Sequence, residues 1–464
     1  MMVDIGYDFD FLERKNRLSG SALELTPEIA STLGAILGSY LGGEEAVVIT
    51  GRDYRKDTRM ISRAFNAGLI SVGTTVFELH SCSLPVLQIT LRRFSAHAAV
   101  HFAAAHRSPT KINIRIFDQT GIEFPYKEIY HFDKMKKLEI KRAPPEKIAD
   151  IISVNQATDI YQAAIKSALN LEVIRDKNFS VVVDCSLGPV AEVMPNILAS
   201  IGCKVLTLNA FRPEGIPESL PSPTSLSILS RAVLAAKADL GICFDPSGSR
   251  VIFVDESGYL IDSHSIVAVL LQSKMVGREG GHIVLSETLW LLEDWLKRNK
   301  FQVLFASDAP GQLSRSAQFS RALFGANEQG NYIHPTFSNE SEPFVTTLLL
   351  LKALAQHTET NHISSIFNEN EIVNQIYLTE HTYTLHSNPE EFFRKLYEAD
   401  NENKVINTLK GLKILYGPRQ WVHIYSFVIP SKLTIKVCSE SQEDRRKMLE
   451  ETKNLIESLD QQGN

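Results

Sequence analysis

The segment VHFAAAHRSPTKINIRIFDQTG, residues 100–121, has the composition of a buried strand, a loop of small residues and a second strand. His106, Arg107 and Ser108 follow one another in the loop, so a titratable base, a cation and a hydroxyl stand side by side. The preceding residues, Ala103-Ala104-Ala105, carry no nucleophile. The segment therefore predicts either an active-site loop or the surroundings of one.

Two later loops also place polar side chains after apolar strands. In DPSGSR, Asp245 follows an apolar run, and Ser247 and Ser249 come two and four residues later. The carboxyl ends of strands are where open α/β sheets bind ligands. In GANEQG, Asn327 and Glu328 are further polar side chains in a loop bounded by glycines.

These loops need a scaffold, and the chain alternates apolar strands with amphipathic helices. ELTPEIASTLGAILGSYLGG predicts a helix with Thr26 as its N-cap and Pro27 in its first turn. AVVIT, TTVFEL and AAVHFAA are continuous apolar runs between helices, as in a largely parallel sheet covered on both faces. We predict three similar α/β/α domains with mixed, largely parallel sheets at residues 1–150, 151–257 and 258–370. The sequence pattern then changes to short strands and a charged helix, which predicts an α+β domain at residues 371–464.

Composition excludes several classes of protein. The chain has 464 residues, 44% apolar and 22% charged, with a net charge of −6 and no long run of one sign. This balance argues against a nucleic-acid or membrane-surface partner. The most apolar segment, FVTTLLLLKALA, is short and interrupted by Lys352. Five scattered cysteines and the lack of a signal-peptide core predict a cytoplasmic protein.

Several segments in series resemble the α-D-phosphohexomutase superfamily, the phosphomannomutase/phosphoglucomutase enzymes. They are GRD, IRIFDQTG, ADLGICFDPSGSRVIFVDESG, LFGANEQGNYIHP and GLKI followed by WVHI, in the order and spacing of that family. The resemblance implies four domains around a central cleft. It also implies hexose phosphates as ligands, Mg²⁺ as cofactor and a serine that carries a phosphoryl group.

The nucleophile loop departs from the family pattern. Counting back from IRIFD without gaps puts Ala105 at the nucleophile position, with His106 retained and Arg107 in place of asparagine. Ser108 remains as a displaced nucleophile, although Ser-Pro is also common turn chemistry. Arg107, Lys111 and Arg115 either attract phosphate or are simply solvated.

The other three loops depart from the pattern as well. Asp245 and Arg250 match the metal loop, but Ser247 and Ser249 replace its other two carboxylates. In the sugar-binding loop Asn327 takes the first acidic position and Glu328 is retained. In the phosphate loop Tyr425 stands at the arginine position, and residues 427–429, Phe-Val-Ile, replace a polar turn.

We therefore predict a phosphohexomutase-like protein of carbohydrate or sugar-nucleotide metabolism that lacks ordinary mutase activity. It would bind a sugar phosphate or a partner enzyme. The sequence is also similar to the mutase-like half of proteins fused to a sugar-1-phosphate nucleotidyltransferase, so a separate nucleotidyltransferase is a candidate partner. The alternative is an active phosphomannomutase/phosphoglucomutase with rearranged site residues and Mg²⁺. A dehydrogenase is disfavoured because no strand is followed by G-x-G-x-x-G.

Overall fold

A computed structural model describes most of the chain. The described residues are 13–14, 17–105, 108–124, 140–211, 223–273, 280–286, 289, 292–357, 363–368, 377–399, 404–408, 411–417, 420–426, 432–439 and 441–461. Within them the chain divides into two compact units, Met1–Phe367 and Asn368–Asn464. The first unit contains three β-sheets, each with helices, and the second contains one antiparallel sheet with helices.

The first sheet has seven strands and mixed direction. Its strands are β1 (Glu13–Arg14), β2 (Arg17–Gly20), β3 (Val47–Arg52), β4 (Thr75–Ser81), β5 (Ala98–Ala105), β6 (Ser108–Asp118) and β7 (Ile151–Ser153). The order is β1-β2-β6-β5-β3-β4-β7, and β5, β3, β4 and β7 run parallel. Its helices are α1 (Pro27–Tyr40), α2 (Lys56–Ile70) and α3 (Leu84–Arg93). The predicted cap of α1 is confirmed, since Ile29 N donates to Thr26 Oγ1.

The second sheet has five strands, with parallel strands at its centre. Its elements are α4 (Ala157–Ala168), α5 (Glu172–Arg175), β8 (Ser180–Asp184), α6 (Met194–Ser200), β9 (Lys204–Leu208), α7 (Pro223–Ala236), β10 (Leu240–Phe244), β11 (Val251–Asp255) and β12 (Leu260–Ile261). The order is β12-β11-β10-β8-β9, with β10, β8 and β9 parallel. All five residues of β10 are buried, as expected for a strand covered on both faces.

The third sheet has four strands. Its elements are α8 (Ser263–Gln272), β13 (His282–Ser286), α9 (Glu293–Arg298), β14 (Gln302–Ala306), α10 (Gln312–Phe319), β15 (Phe324–Ala326), β16 (Tyr332–Ile333), α11 (Pro343–Gln356) and α12 (Ile363–Asn368). The order is β14-β13-β15-β16. The apolar segment that contains Lys352 forms α11, which is buried on almost every side. No helix in the described ranges has the length and apolar character needed to cross a bilayer.

The second unit contains an antiparallel sheet with helices. Its elements are β17 (Tyr377–Thr384), α13 (Pro389–Ala399), β18 (Lys404–Thr408), β19 (Gly411–Gly417), β20 (Gln420–Ser426), β21 (Lys432–Ser439) and α14 (Gln442–Gln461). The sheet order is β17-β21-β20-β19-β18. Alternate residues such as Val422, Ile424 and Ile435 pack with Leu396 and Ile456 of the helices.

The predicted architecture, mixed and largely parallel sheets in several α/β/α domains, is confirmed. β7 pairs with β4 of the first sheet, and β12 pairs with β11 of the second. The exact domain limits at residues 150, 257 and 370 stay predictions.

Candidate active-site cleft

A polar cleft opens inside the first unit, where loops of its three sheets meet. Its volume is about 100 Å³. The walls include the end of β5 at Ala103–Ala105, residues 245–250 after β10, and residues 327–331 after β15. The cleft therefore joins three of the segments in which the sequence predicted function. Glu328 is not among the described lining residues, and its role in sugar binding stays a prediction.

The end of β5 brings an alanine to the cleft. Ala105 is 5% exposed, and its strand partner is Ser108 across an irregularity in the β5–β6 ladder. A methyl group cannot accept a phosphoryl group, so this position offers no covalent step. His106 and Arg107 lie outside the described residues, as does the side chain of Ser108, and their predicted roles stay predictions.

Asp53 fixes this strand end in place. Its Oδ2 accepts a hydrogen bond of 2.8 Å from Ala104 N, while Oδ1 accepts from Arg55 N at 3.0 Å and Thr58 Oγ1 at 2.6 Å. Burial raises the pKa of Asp53 above its ordinary value, although these hydrogen bonds oppose the effect. In the sequence, GRD was recognisable only as a family segment, so this positioning role of Asp53 was not predicted. A charged residue directly after an apolar strand was the available signal.

The loop after β10 is closed around its own carboxylate. Oδ2 of Asp245 accepts hydrogen bonds from Ser247 Oγ at 2.5 Å and Ser249 Oγ at 3.0 Å. Oδ1 accepts from the backbone N–H groups of Ser249 and Arg250. Gly248 makes the turn possible with a φ of 68°, a left-handed value that glycine adopts freely. Each carboxylate oxygen therefore already has two donors.

This donor set does not fit the magnesium ion that the family resemblance implies. Mg²⁺ requires near-octahedral coordination by oxygen and usually takes carboxylates together with substrate phosphate. Here one carboxylate is engaged by two hydroxyls, and the two hydroxyl oxygens also lie 3.0 Å from each other. Within the described ranges, no group of three His, Cys, Asp or Glu residues could hold a metal ion. No chemical step is therefore derived through a metal at this site.

Arg115 contributes to the cleft as a buried ion pair. Its Nε and Nη2 donate to Glu123 Oε2 at 3.1 and 2.8 Å, and Nη2 is 3.4 Å from Glu340 Oε2. Burial by itself would lower the pKa of Arg115, but Glu123 and Glu340 outweigh it and raise that pKa. Burial raises the pKa of Glu340, and Arg115 opposes this. Arg115 is thus not simply solvated, because two glutamates balance its charge at the wall of the cleft.

The turn after β15 connects to the Asp245 loop. Asn327 Oδ1 accepts from the N–H groups of Gln329 and Asn331, both at 3.0 Å. Arg250 Nη1 donates to Gln329 Oε1 at 3.1 Å, and Asn331 Nδ2 donates to the carbonyl of Ser249 at 2.9 Å. Asn327 therefore shapes the turn, and Gln329 and Asn331, which the sequence analysis did not select, face the cleft.

The described lining holds more acidic than basic side chains. It includes two arginines and four carboxylic acids: Arg115, Arg250, Glu123, Asp245, Asp308 and Glu340. Serine and amide groups complete the polar surface. Such a surface can accept hydrogen bonds from hydroxyl groups, as a sugar offers, but it compensates little negative charge.

Tyr425, which the sequence places at the arginine position of a phosphate loop, lies in β20 of the second unit. The centroids of the Tyr425 and His423 rings lie 4.7 Å apart. Residues 427–430 lie outside the described ranges, so the change in that loop stays a sequence observation.

Comparisons with known proteins agree with the sheet architecture. Residues 12–134 match the family model "Phosphoglucomutase/phosphomannomutase, alpha/beta/alpha domain I", and residues 159–258 match the corresponding domain II model. A phosphoglucomutase/phosphomannomutase of Thermococcus kodakarensis is 26% identical over 92% of this chain and 94% of its own length. A probable phosphoglucosamine mutase of Pyrococcus abyssi is 27% identical over 71% of this chain and 72% of its own length.

A solved structure extends the likeness to almost the whole fold. It is a phosphoglucomutase/phosphomannomutase family protein of Burkholderia thailandensis, 16% identical, with a TM-score of 0.79 over 97% of this chain and 99% of that chain. Two successive domain models and this common architecture agree with the series of motifs along the sequence. The chain belongs to the α-D-phosphohexomutase superfamily.

Proposed function

We propose that this protein is a phosphohexomutase homologue that binds a hexose phosphate without ordinary mutase turnover. The ligand class is supported by the family and by relatives named phosphoglucomutase/phosphomannomutase and probable phosphoglucosamine mutase. The acceptor-rich cleft suits the hydroxyl groups of such a sugar.

The hydrogen bonding of Asp245 carries the second half of the proposal. Mutase turnover in this family needs a metal to offset phosphoryl charge, and the carboxylate here is occupied by Ser247 and Ser249. Positioning and electrostatic stabilisation supply almost all of the catalysis in phosphoryl transfer, so phosphoryl charge that no metal offsets is a large obstacle to turnover. Ala105 at the end of β5 adds a second obstacle, since it cannot form the covalent intermediate.

The remaining residues support binding and orientation. Asp53 holds Ala104 and so fixes the strand that borders the ligand. Arg250 is held by Gln329, which connects the loops after β10 and β15. We expect the polar groups of these two loops to bind sugar hydroxyls.

A turnover assay and a binding measurement test the two halves separately. Glucose 1-phosphate and mannose 1-phosphate are offered with a hexose bisphosphate and Mg²⁺, and formation of the 6-phosphate is followed by a coupled enzyme. Calorimetry measures binding of the same sugar phosphates. We expect saturable binding without enzyme-dependent turnover. Robust turnover would overturn the proposed loss of activity and support the alternative of rearranged site residues, and lack of binding would overturn the proposed ligand.

A restoration series locates the missing chemistry. Ala105→Ser restores a hydroxyl, and Ser247→Asp with Ser249→Asp restores three carboxylates. Intact mass after incubation with the bisphosphate and Mg²⁺ reports a phosphoryl adduct, and peptide mapping assigns it. We expect an adduct at residue 105 only when all three changes are combined, with Ala104→Ser as the matched control in the same strand. An adduct on Ser108 of the unchanged protein would contradict the proposal.

The nucleotidyltransferase partner stays a prediction from the sequence resemblance. Co-purification from the source cells, with identification of the bound proteins, tests it. Recovery of a sugar-1-phosphate nucleotidyltransferase in constant ratio is the expected result. Its absence from a complex that is otherwise intact would argue against this partner.

A further inference from the structure

A second cavity lies at the carboxyl ends of β3, β4 and β7, away from the cleft. Its volume is about 250 Å³, and it shares no lining residue with the cleft. The carboxyl ends of parallel strands are the usual position of ligand sites in open α/β sheets. GRD, one of the segments that resemble the family, includes Arg52 of this cavity, but the proposed function assigns no ligand to it.

Arg52, the last residue of β3, is the cation in its wall. The residue is only 8% exposed, and its Nη1 donates to the carbonyl of Asp53 at 3.0 Å and to Ser81 Oγ at 3.1 Å. Its Nε is buried and has no hydrogen-bond partner among the described residues. A buried polar group without a partner is costly, so the guanidinium in this wall has hydrogen-bonding capacity that the described residues do not use.

The charges around Arg52 leave it incompletely compensated. Burial and then Arg59 lower the pKa of Arg52, whereas Glu78 and Asp53 raise it by less. Glu78 also lies 3.4 Å from His80 Nδ1, and the carboxylate of Asp53 already accepts from Ala104 N. An anion in the cavity would therefore stabilise the charged guanidinium.

The first turn of α4 forms a second part of the wall. Ala157 and Thr158 line the cavity together with Asn155. The N-cap residue, Gln156, makes no side-chain hydrogen bond to this turn. Free N–H groups and the positive end of the helix dipole favour negative charge at this position, and Asp159 in the same turn already supplies part of it. Arg52 and α4 thus present donors to the same space.

One carboxylate also borders the cavity and limits which anion fits. Glu192 is exposed, and its Oε1 accepts a hydrogen bond of 2.6 Å from Tyr54 OH. It would repel a second negative group but could accept a hydrogen bond from a hydroxyl. The wall is therefore donor-rich beside Arg52 and acceptor-rich beside Glu192.

We propose that this cavity binds a small phosphorylated polyol. Arg52, Ser81 and the first turn of α4 take the phosphate group, and Glu192 accepts a hydrogen bond from a hydroxyl. The site is independent of the hexose-phosphate cleft.

Calorimetry on the full chain tests the proposal with glycerol 3-phosphate and, in parallel, inorganic phosphate. The decisive pair of variants is Thr158→Asp and Thr158→Asn, which have similar shape but differ in charge. We expect Thr158→Asp to bind at least about tenfold more weakly because its carboxylate lies where the phosphate binds. Thr158→Asn and the cleft variant Arg250→Gln should bind as the unchanged protein does.

Arg52→Gln supplies a second measurement and should also lose binding. Circular dichroism establishes that each variant is folded, and if Arg52→Gln is not, the Thr158 pair decides. Absence of binding by the unchanged protein, or equal affinity of both Thr158 variants, would overturn the site. Glycerol 3-phosphate should bind more tightly than inorganic phosphate, and equal affinities would overturn the role given to Glu192.

Discussion

Replacement of Glu342 by glutamine should change how the stability of the first unit depends on pH. Glu342 precedes α11, is fully buried and accepts a hydrogen bond from Tyr161 OH through Oε1. Its Oε2 has no hydrogen-bond partner among the described residues. Burial raises the pKa of Glu342 to about 8, against the opposing effects of Tyr161 and the charge of Arg92.

The sign follows from proton binding in the two states. Folded Glu342 keeps its proton up to about pH 8, whereas an unfolded glutamate loses it near pH 4.5. The folded chain therefore binds more protons between these values, and its free energy of unfolding falls as pH rises through that window. At about 1.4 kcal/mol per pH unit, titration of Glu342 lowers the free energy of unfolding by up to about 4 kcal/mol between pH 5 and pH 8. Glutamine does not titrate, so Glu342→Gln removes this loss.

Urea unfolding followed by circular dichroism at pH 5 and pH 8 measures the effect. We expect the variant to lose less stability than the unchanged protein between these two pH values. Its baseline at pH 5 is lower by about 1–3 kcal/mol if the new amide N–H₂ finds no acceptor, but the difference in slope does not depend on that baseline. Glu146→Gln, at an exposed carboxylate, is the control and should leave the slope unchanged. Equal slopes for Glu342→Gln and the unchanged protein would refute the reasoning.

Two further substitutions test the loops at the cleft. Gly330→Ala should destabilise the first unit by about 1–3 kcal/mol in urea unfolding, because a Cβ would lie 2.4 Å from the Val251 carbonyl. Gly280→Ala has a similar positive φ and open space, so a loss as large there would show that strain, and not the clash, dominates. Asp53→Asn should speed amide hydrogen exchange in the peptide containing Ala104, because an amide N–H₂ in place of Oδ2 would face the Ala104 N–H donor. Unchanged exchange would mean that other contacts hold the end of β5.

The order of secondary-structure elements was predictable because it depends on short-range patterns. Thr26 and Pro27 marked the start of α1, and continuous apolar runs marked β3, β4 and β5. The series of loop motifs was enough to predict the fold and the superfamily. The replacements at Ala105, Ser247 and Ser249 could also be recognised in the sequence, because the residues that flank each loop still match the family pattern.

The side-chain partners in the cleft were not predictable in the same way. Arg115 was expected either to attract phosphate or to be solvated, yet it pairs with Glu340, which lies 225 residues later in the chain. Asn327 and Glu328 were both selected from their loop, and Asn327 lines the cleft together with Gln329 and Asn331, whereas Glu328 is not among the described lining residues. The direction of these side chains depends on how the turn after β15 packs against the Asp245 loop, and no local sequence pattern predicts that packing.

The sequence by itself determined which functional groups are present: alanine at the nucleophile position, one carboxylate and two serines in the metal loop, and an arginine at the end of β3. Only the tertiary structure decided what those groups contact. It turned both serine hydroxyls onto Asp245, balanced the charge of Arg115 with two glutamates, and left Arg52 with an unpartnered Nε within the described residues. The physical reason is that periodicity and capping act over a few residues, whereas burial and ion pairing depend on segments brought together from distant parts of the chain.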